Sequence, residues 1–296
     1  MTDLAIGVDP GGADAWMWPD VFVTGVRVGA PPDQFNTRGQ DWALPPFDPW
    51  RLRNACYQPW IESIRGALRH GGGLRLDHVM GLFRLYWIPA GVTPAEGAYV
   101  RYPHDDLINI VALEAHRAGA YVVGEDLGTV EPEVREELAD RQVMSYRVWW
   151  FEDAVPAKWP KQAMGAVTTH DLPTVAGVLS GSDLAVQRRL NLQPNEEAAG
   201  GLRAKLRTRA KANAATPVEA VIERVYADLA RAPCLLLAAS LDDALALEER
   251  PNMPATVDEW PNWRLALPTP LDSFDQLELP KAIAASLDHR AVARAP

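Results

Sequence analysis

The chain has 296 residues, enough for one large domain or two modest ones at roughly 100–200 residues per domain. Hydrophobic residues make up 48% and charged ones 23%, which fits a soluble globule with a sizeable core and excludes collagen, disordered chains and disulfide-stapled mini-proteins. Lys plus Arg number 29 against 39 Asp plus Glu, and this net charge of −10 argues against nucleic acid as a partner, because neutralising phosphates takes clustered cations.

In chain order, the first candidate strand covers residues 3–9 and ends at Pro10-Gly11-Gly12. A long loop over about 10–58 follows; between Asp20 and Trp50 it holds Pro, Gly and aromatics but no helical or alternating period. A helix is predicted over 60–70 and a strand over 73–77. A second aromatic-rich loop runs over about 78–105. In the helix over 107–118, Ile108, Val111, Ala112 and Ala115 recur at the helical period and Gly119 follows as C-cap. Next come a strand over 120–124, a helix over 134–141, strands over 143–151 and 166–169, helices over 202–214 and 218–232, a strand over 234–239 and a tail over 269–296.

Strand and helix thus alternate, which implies parallel pairing through right-handed crossovers. No G-x-G-x-x-G opens a helix, so the dinucleotide-binding open sheet loses its main signature. Charged residues stand at the C-terminal ends of three strands: Asp77, Glu125 with Asp126, and His170 with Asp171. A barrel builds its active site there, so the expected fold is α/β, a (β/α)8-type TIM barrel, as a single catalytic domain over 1–296.

If Leu74 and Leu76 face the helices, alternation turns Arg75 and Asp77 inward, where the cation holds the carboxylate ionised. Such a carboxylate can serve as a nucleophile, or the two can form a buried structural ion pair. Glu125 leaves an apolar strand, where desolvation and a neighbouring carboxylate raise its pKa as a general acid requires. Capping of the following helix is the other reading of this acidic pair, and it suits Asp126 or Thr129 better than Glu125. His170-Asp171 lacks the G-x-S-x-G elbow of serine nucleophiles, and neither His78 nor His170 stands at metal-ligand spacing. Three acids on three strand ends suggest retaining glycoside chemistry, with nucleophile and acid about 5–5.5 Å apart.

Aromatics agree with a sugar ligand. Trp16, Trp18, Phe35, Trp42, Phe47 and Trp50 lie in the first loop, and Tyr86, Trp87, Tyr99 and Tyr102 in the second. Ring faces stack on the C–H faces of sugars while polar side chains bond the hydroxyls, although at least half of these rings are expected simply to pack the loops. Cys56 and Cys234 form no disulfide framework, no signal-peptide pattern opens the chain and no 18-residue apolar run occurs, so the expected compartment is the cytoplasm, away from membranes.

In that order, GGLRLDHVMG, VVGEDLGTV and TTHDLPTVAG resemble motifs of the 4-α-glucanotransferases called amylomaltases or disproportionating enzymes, glycoside hydrolase family seventy-seven of the α-amylase clan. Gly12-Ala13-Asp14-Ala15-Trp16 is similar to the segment after that family's third strand. The stretch from Gly29 to Phe35 with Gly39-Gln40-Asp41-Trp42 resembles its substrate-gripping loop, and Arg250 to Thr256 with Pro261-Asn262-Trp263-Arg264 its C-terminal motif. The resemblance covers residues 4 to 268.

It implies Asp77 as nucleophile, Glu125 as acid/base and Asp171 as transition-state stabiliser, with Arg75 and His170 supporting the nucleophile and donor sugar. It further implies that Asp14, Phe35, Trp42 and Asn252 contact substrate. The implied reaction transfers an α-1,4-glucan segment to the 4-hydroxyl of another glucan, a maltooligosaccharide or glucose, with no cofactor and no metal. Gln34, Ala43-Leu44 and Ala255 depart from common family residues, which bears on acceptor preference and product size. Six strands are counted where the family has eight, so the barrel is expected to be incomplete, with strands 3 to 8 present. The rivals are an α-glucan hydrolase and an inactive glucan-binding remnant.

Overall fold

The computed structural model describes residues 1–32, 38–128 and 130–292. It divides into two compact units, Met1–Tyr146 and Arg147–Pro296.

The first unit holds β1 (Thr2–Leu4), α1 (Ala13–Met17), β2 (Val26–Ala30), β3 (Gln40–Leu44), α2 (Pro49–Asn54), α3 (Gln58–Leu68), β4 (Gly73–Leu76), β5 (Arg84–Pro89), β6 (Ala98–Arg101), α4 (His104–Ala118), β7 (Tyr121–Gly124), α5 (Pro132–Asp140) and most of β8 (Met144–Val148). β1, β4, β7 and β8 are neighbours in that order, and every pair is parallel, as the strand and helix alternation predicts. Leu74 and Leu76 are buried in the same apolar core as Ile64 and Leu68 of α3 and Ile108 and Val111 of α4. α4 ends at Gly119, whose left-handed backbone (φ 63°) turns its N–H back onto the Ala115 and His116 carbonyls.

Both stretches read as irregular loops contain strands, which corrects the sequence expectation. β3, β2, β5 and β6 form a four-stranded antiparallel sheet. Its strands are short, and β5 buries Leu85, Tyr86 and Ile88 without strict alternation, so no period of two shows in the sequence. A bulge falls between Val28 and Gly29. A Cβ on Gly29 would lie 2.0 Å from the Gln40 carbonyl oxygen, so only glycine allows β3 to approach this closely.

The second unit holds β9 (Ala163–Ala166), α6 (Val175–Ser180), α7 (Ser182–Arg189), α8 (Glu196–Arg209), α9 (Val218–Leu229), β10 (Leu236–Ala238), α10 (Leu241–Ala244) and α11 (Glu278–Val292). β9 and β10 are parallel. The core gathers Trp149, Leu206, Ile222, Val225, Tyr226 and Leu229. β9 begins three residues before the predicted strand and ends at Ala166, since Thr168 and Thr169 beyond it spend their hydroxyls on loop backbone groups. The expected tail is largely helical, and α11 packs on α9 with Ile283 buried. Among the described residues no helix is long and apolar enough to cross a membrane.

Candidate active site

In the first unit the site grows from three adjacent strands. Asp3, Arg75 and Val123 share one register across β1, β4 and β7, so Asp3 and Arg75 project to the same face, away from the helix-facing Leu74 and Leu76. Arg75 is 8% exposed and its Nη1 donates to both carboxylate oxygens of Asp3, at 2.7 and 2.8 Å. Its Nη2 lies 2.8 Å from Asp77 Oδ1. Burial opposes the guanidinium charge, but Asp77 and Asp3 outweigh it and raise its pKa. The predicted Arg75–Asp77 pair therefore forms, with Asp3 as a third member that sequence reasoning missed.

Glu125 follows β7 and reaches back to the chain beyond β4. Its Oε2 accepts the His78 backbone N–H at 2.9 Å and its Oε1 accepts the Leu127 N–H at 2.8 Å. The Val79 N–H in turn donates to the Glu125 carbonyl, and the Glu125 N–H to the Leu76 carbonyl. Asp77 and Glu125 thus sit on two interlocked strand ends, with the Glu125 carboxylate tied to the residue next to Asp77. Burial raises the Glu125 pKa, the two N–H donors and Arg75 oppose this, and the charge of Asp77 raises it further.

His78 is the second residue missed. It occupies the left-handed region (φ 43°, ψ 61°), which presents its N–H to Glu125. Its ring packs edge-on against Trp42 of β3, with centroids 5.4 Å apart. Burial lowers its pKa despite the nearby Asp77. The signal lay in the sequence, since a polar residue directly after a strand-end Asp meets the same rim.

Asp126 is 3% exposed and caps no helix among the described residues, so the capping alternative does not hold for it. Its carboxylate accepts the Ser145 hydroxyl at 2.6 Å, the Tyr146 N–H at 2.8 Å and Arg135 Nε at 3.1 Å. It ties β8 and α5 to the end of β7, and its own buried oxygens are fully satisfied there. Thr129 lies outside the described residues, as do Phe35 and Gln34. Asp14 is exposed on α1 and is not brought to the Arg75–Asp77–Glu125 group by any contact among the described residues. A cluster of His104, Asp105 and Glu137 has ligand-type atoms, but Arg141, 2.7 Å from Asp105 and 3.8 Å from Glu137, already pairs with both carboxylates.

The second unit builds its own group around Asp171. Asn252 Nδ2 donates to Asp171 Oδ1 at 2.6 Å, and His170 Nε2 lies 3.1 Å from Oδ2. Arg250 Nη1 donates to the Asp171 carbonyl at 2.7 Å. The other face of that guanidinium grips Asp183 of α7 through Nε at 2.8 Å and Nη2 at 2.6 Å, with both residues buried. The loop is also pinned beyond Asp171. Trp150 Nε1 donates to the Pro173 carbonyl at 3.1 Å, and the fully buried Asp243 accepts the Val175 N–H at 2.8 Å and the Tyr226 hydroxyl at 2.9 Å. Sequence reading brought His170, Asp171 and Asn252 forward, while Asp183 and Asp243 gave no local signal.

Known proteins match the chain in sequence and in fold. The family model described as 4-alpha-glucanotransferase matches residues 1–271. A 4-alpha-glucanotransferase of Mycobacterium tuberculosis (strain H37Rv) is 47% identical over 291 residues, covering 91% of this chain and 40% of the relative. The crystal structure of amylomaltase from Corynebacterium glutamicum superposes with a TM-score of 0.88 at 37% identity, covering 96% of this chain and 45% of that one. Amylomaltase from Streptococcus agalactiae in complex with acarbose matches the fold alone, with a TM-score of 0.75 at 19% identity over 98% of this chain and 57% of that one. The fold is that of part of the amylomaltase TIM barrel, and the chain spans about 40% of the length of the curated relatives it matches.

Proposed function

Because the chain belongs to the 4-alpha-glucanotransferase family, glycoside hydrolase family seventy-seven, we propose that it transfers segments of α-1,4-glucan by a retaining double displacement. The observation that carries this reading is the Arg75–Asp77 ion pair interlocked with a Glu125 whose pKa is raised by burial. Retaining glycoside chemistry needs one carboxylate as nucleophile and a second carboxyl group, its pKa raised, as general acid.

In the first step Asp77 attacks the anomeric carbon while Glu125 gives its proton to the departing glycosidic oxygen. The bond from that carbon to the leaving oxygen breaks and an ester to Asp77 forms. In the second step the Glu125 carboxylate takes the proton of an incoming 4-hydroxyl, whose oxygen displaces Asp77. Arg75 disperses the charge that returns to Asp77. For Asp171 the resemblance suggests hydroxyl contacts that stabilise the oxocarbenium-like transition state, and the hold of Asn252 and His170 on its two oxygens supports that role. Asp14, Phe35 and Trp42 are proposed sugar contacts, and the edge contact of Trp42 with His78 supports its inclusion. Side chains supply acid, base and nucleophile, so the reaction requires no cofactor or metal. Proposed partners are maltooligosaccharides and glucose, and two cysteines without a disulfide suit the cytoplasm.

Incubation of the chain with maltotriose tests the reading. Transfer yields glucose together with a ladder of longer maltooligosaccharides, whereas glucose and maltose without a ladder would make the protein a hydrolase.

A further inference from the structure

Most large side chains of the second unit are accounted for by its core, and Trp263 is not. Trp260, three residues earlier, is buried and its indole N–H donates to the Arg250 carbonyl at 3.2 Å. Trp263 is 65% exposed. Its backbone sits in the left-handed region (φ 60°), an unfavourable place for a bulky side chain.

The surroundings impose that conformation. The Trp263 N–H donates to the Pro251 carbonyl at 2.9 Å. The preceding Asn262 accepts the Met253 N–H at 2.8 Å and donates to the Thr256 hydroxyl at 2.9 Å, which closes the segment from 251 to 263 into a fixed loop. The loop delivers the indole to His170, with ring centroids 5.0 Å apart and planes at 51°. His170 Nε2 is 3.1 Å from Asp171. A strained backbone thus holds a large apolar face in water beside two polar groups suited to hydroxyls. That combination of an apolar platform and convergent polar groups is the composition of a carbohydrate contact.

We propose that Trp263 is a substrate-binding residue, its exposed ring forming a stacking platform for a glucosyl unit of an α-glucan bound beside His170 and Asp171. The proposal rests on the reading of the protein as α-glucan-binding and adds a contact to it.

The test is calorimetric titration of the 296-residue chain with maltoheptaose, alongside its thermal unfolding midpoint. Three variants are compared with the wild type: Trp263→Ala, Trp263→Phe and Trp263→Gly. Glycine accepts a positive φ without strain, so Trp263→Gly keeps the loop while deleting the ring. The expected result is about tenfold weaker binding for the Ala and Gly variants, binding within about threefold of wild type for Phe, and a Gly variant that melts no lower than the Ala variant. Wild-type affinity in Trp263→Gly would overturn the proposal and leave the functional reading standing. Absence of maltoheptaose binding by the wild-type chain would overturn both.

Discussion

Removing the charge of Asp183 is expected to destabilise the second unit severely. Arg250 and Asp183 are 7% and 10% exposed at the side chain and joined by two short hydrogen bonds. In Asp183→Asn the guanidinium stays buried next to a neutral amide that cannot offset it. Breaking a buried pair from one side costs about 3–5 kcal/mol, because an uncompensated charge remains. At about 2–4 °C per kcal/mol for chains of 150–250 residues, the melting midpoint drops by at least about 6 °C. The double variant Asp183→Leu/Arg250→Met removes both charges and recovers most of that loss, less the hydrogen bond from Arg250 Nη1 to the Asp171 carbonyl. A double-mutant cycle of Asp183→Leu, Arg250→Met and their combination, read by urea unfolding, measures the coupling directly. Single-variant losses below about 1 kcal/mol, or a coupling near zero, would refute the assignment of this pair as the clamp of the Asp171 loop.

Two pH effects follow from the carboxyl groups. The charge of Asp77 is one of the influences that hold the Glu125 pKa up, so Asp77→Asn shifts the Glu125 titration downward; carboxyl-carbon NMR measures this, and an unchanged or raised pKa contradicts the coupling. Burial pushes Asp243 up to about 6 from 3.8, so the folded protein binds the proton more tightly than the unfolded chain, and this group's contribution to stability is lost as pH rises from about 4 to about 6. Two pKa units correspond to about 3 kcal/mol. Asp243→Asn therefore gains on the wild type by roughly that amount between pH 4 and pH 7 in denaturant titrations, and parallel stability curves would contradict it.

The core of the proposed chemistry was legible because it follows local rules. Alternation across Leu74, Arg75, Leu76 and Asp77 separates a helix-facing row from a rim-facing row, and the four-residue span of β4 leaves Asp77 at the strand end. Glu125 stood out as a carboxylate leaving an apolar strand. What stayed hidden depends on distant pairing. The antiparallel sheet of β2, β3, β5 and β6 is held by pairings between short segments, one with a bulge and one without alternation. Asp183 and Arg250 are 67 residues apart, and Asp243 meets Val175 from 68 residues away. Asp126 shows the limit of local reasoning most clearly. A carboxylate shortly before a helix can be read as a cap, yet donors on Ser145, Tyr146 and Arg135 compete for it and win.

The most direct test of the double displacement is to trap its covalent intermediate. An α-maltosyl fluoride needs no acid to lose its leaving group, so Glu125→Gln can form the ester to Asp77, while resolution by an acceptor sugar is slowed for want of a base. Acid quenching, proteolysis and mass spectrometry should then find a maltosyl unit on the peptide that contains Asp77. A sugar attached to any other residue, or a labelled Asp77→Asn/Glu125→Gln variant, would contradict the mechanism.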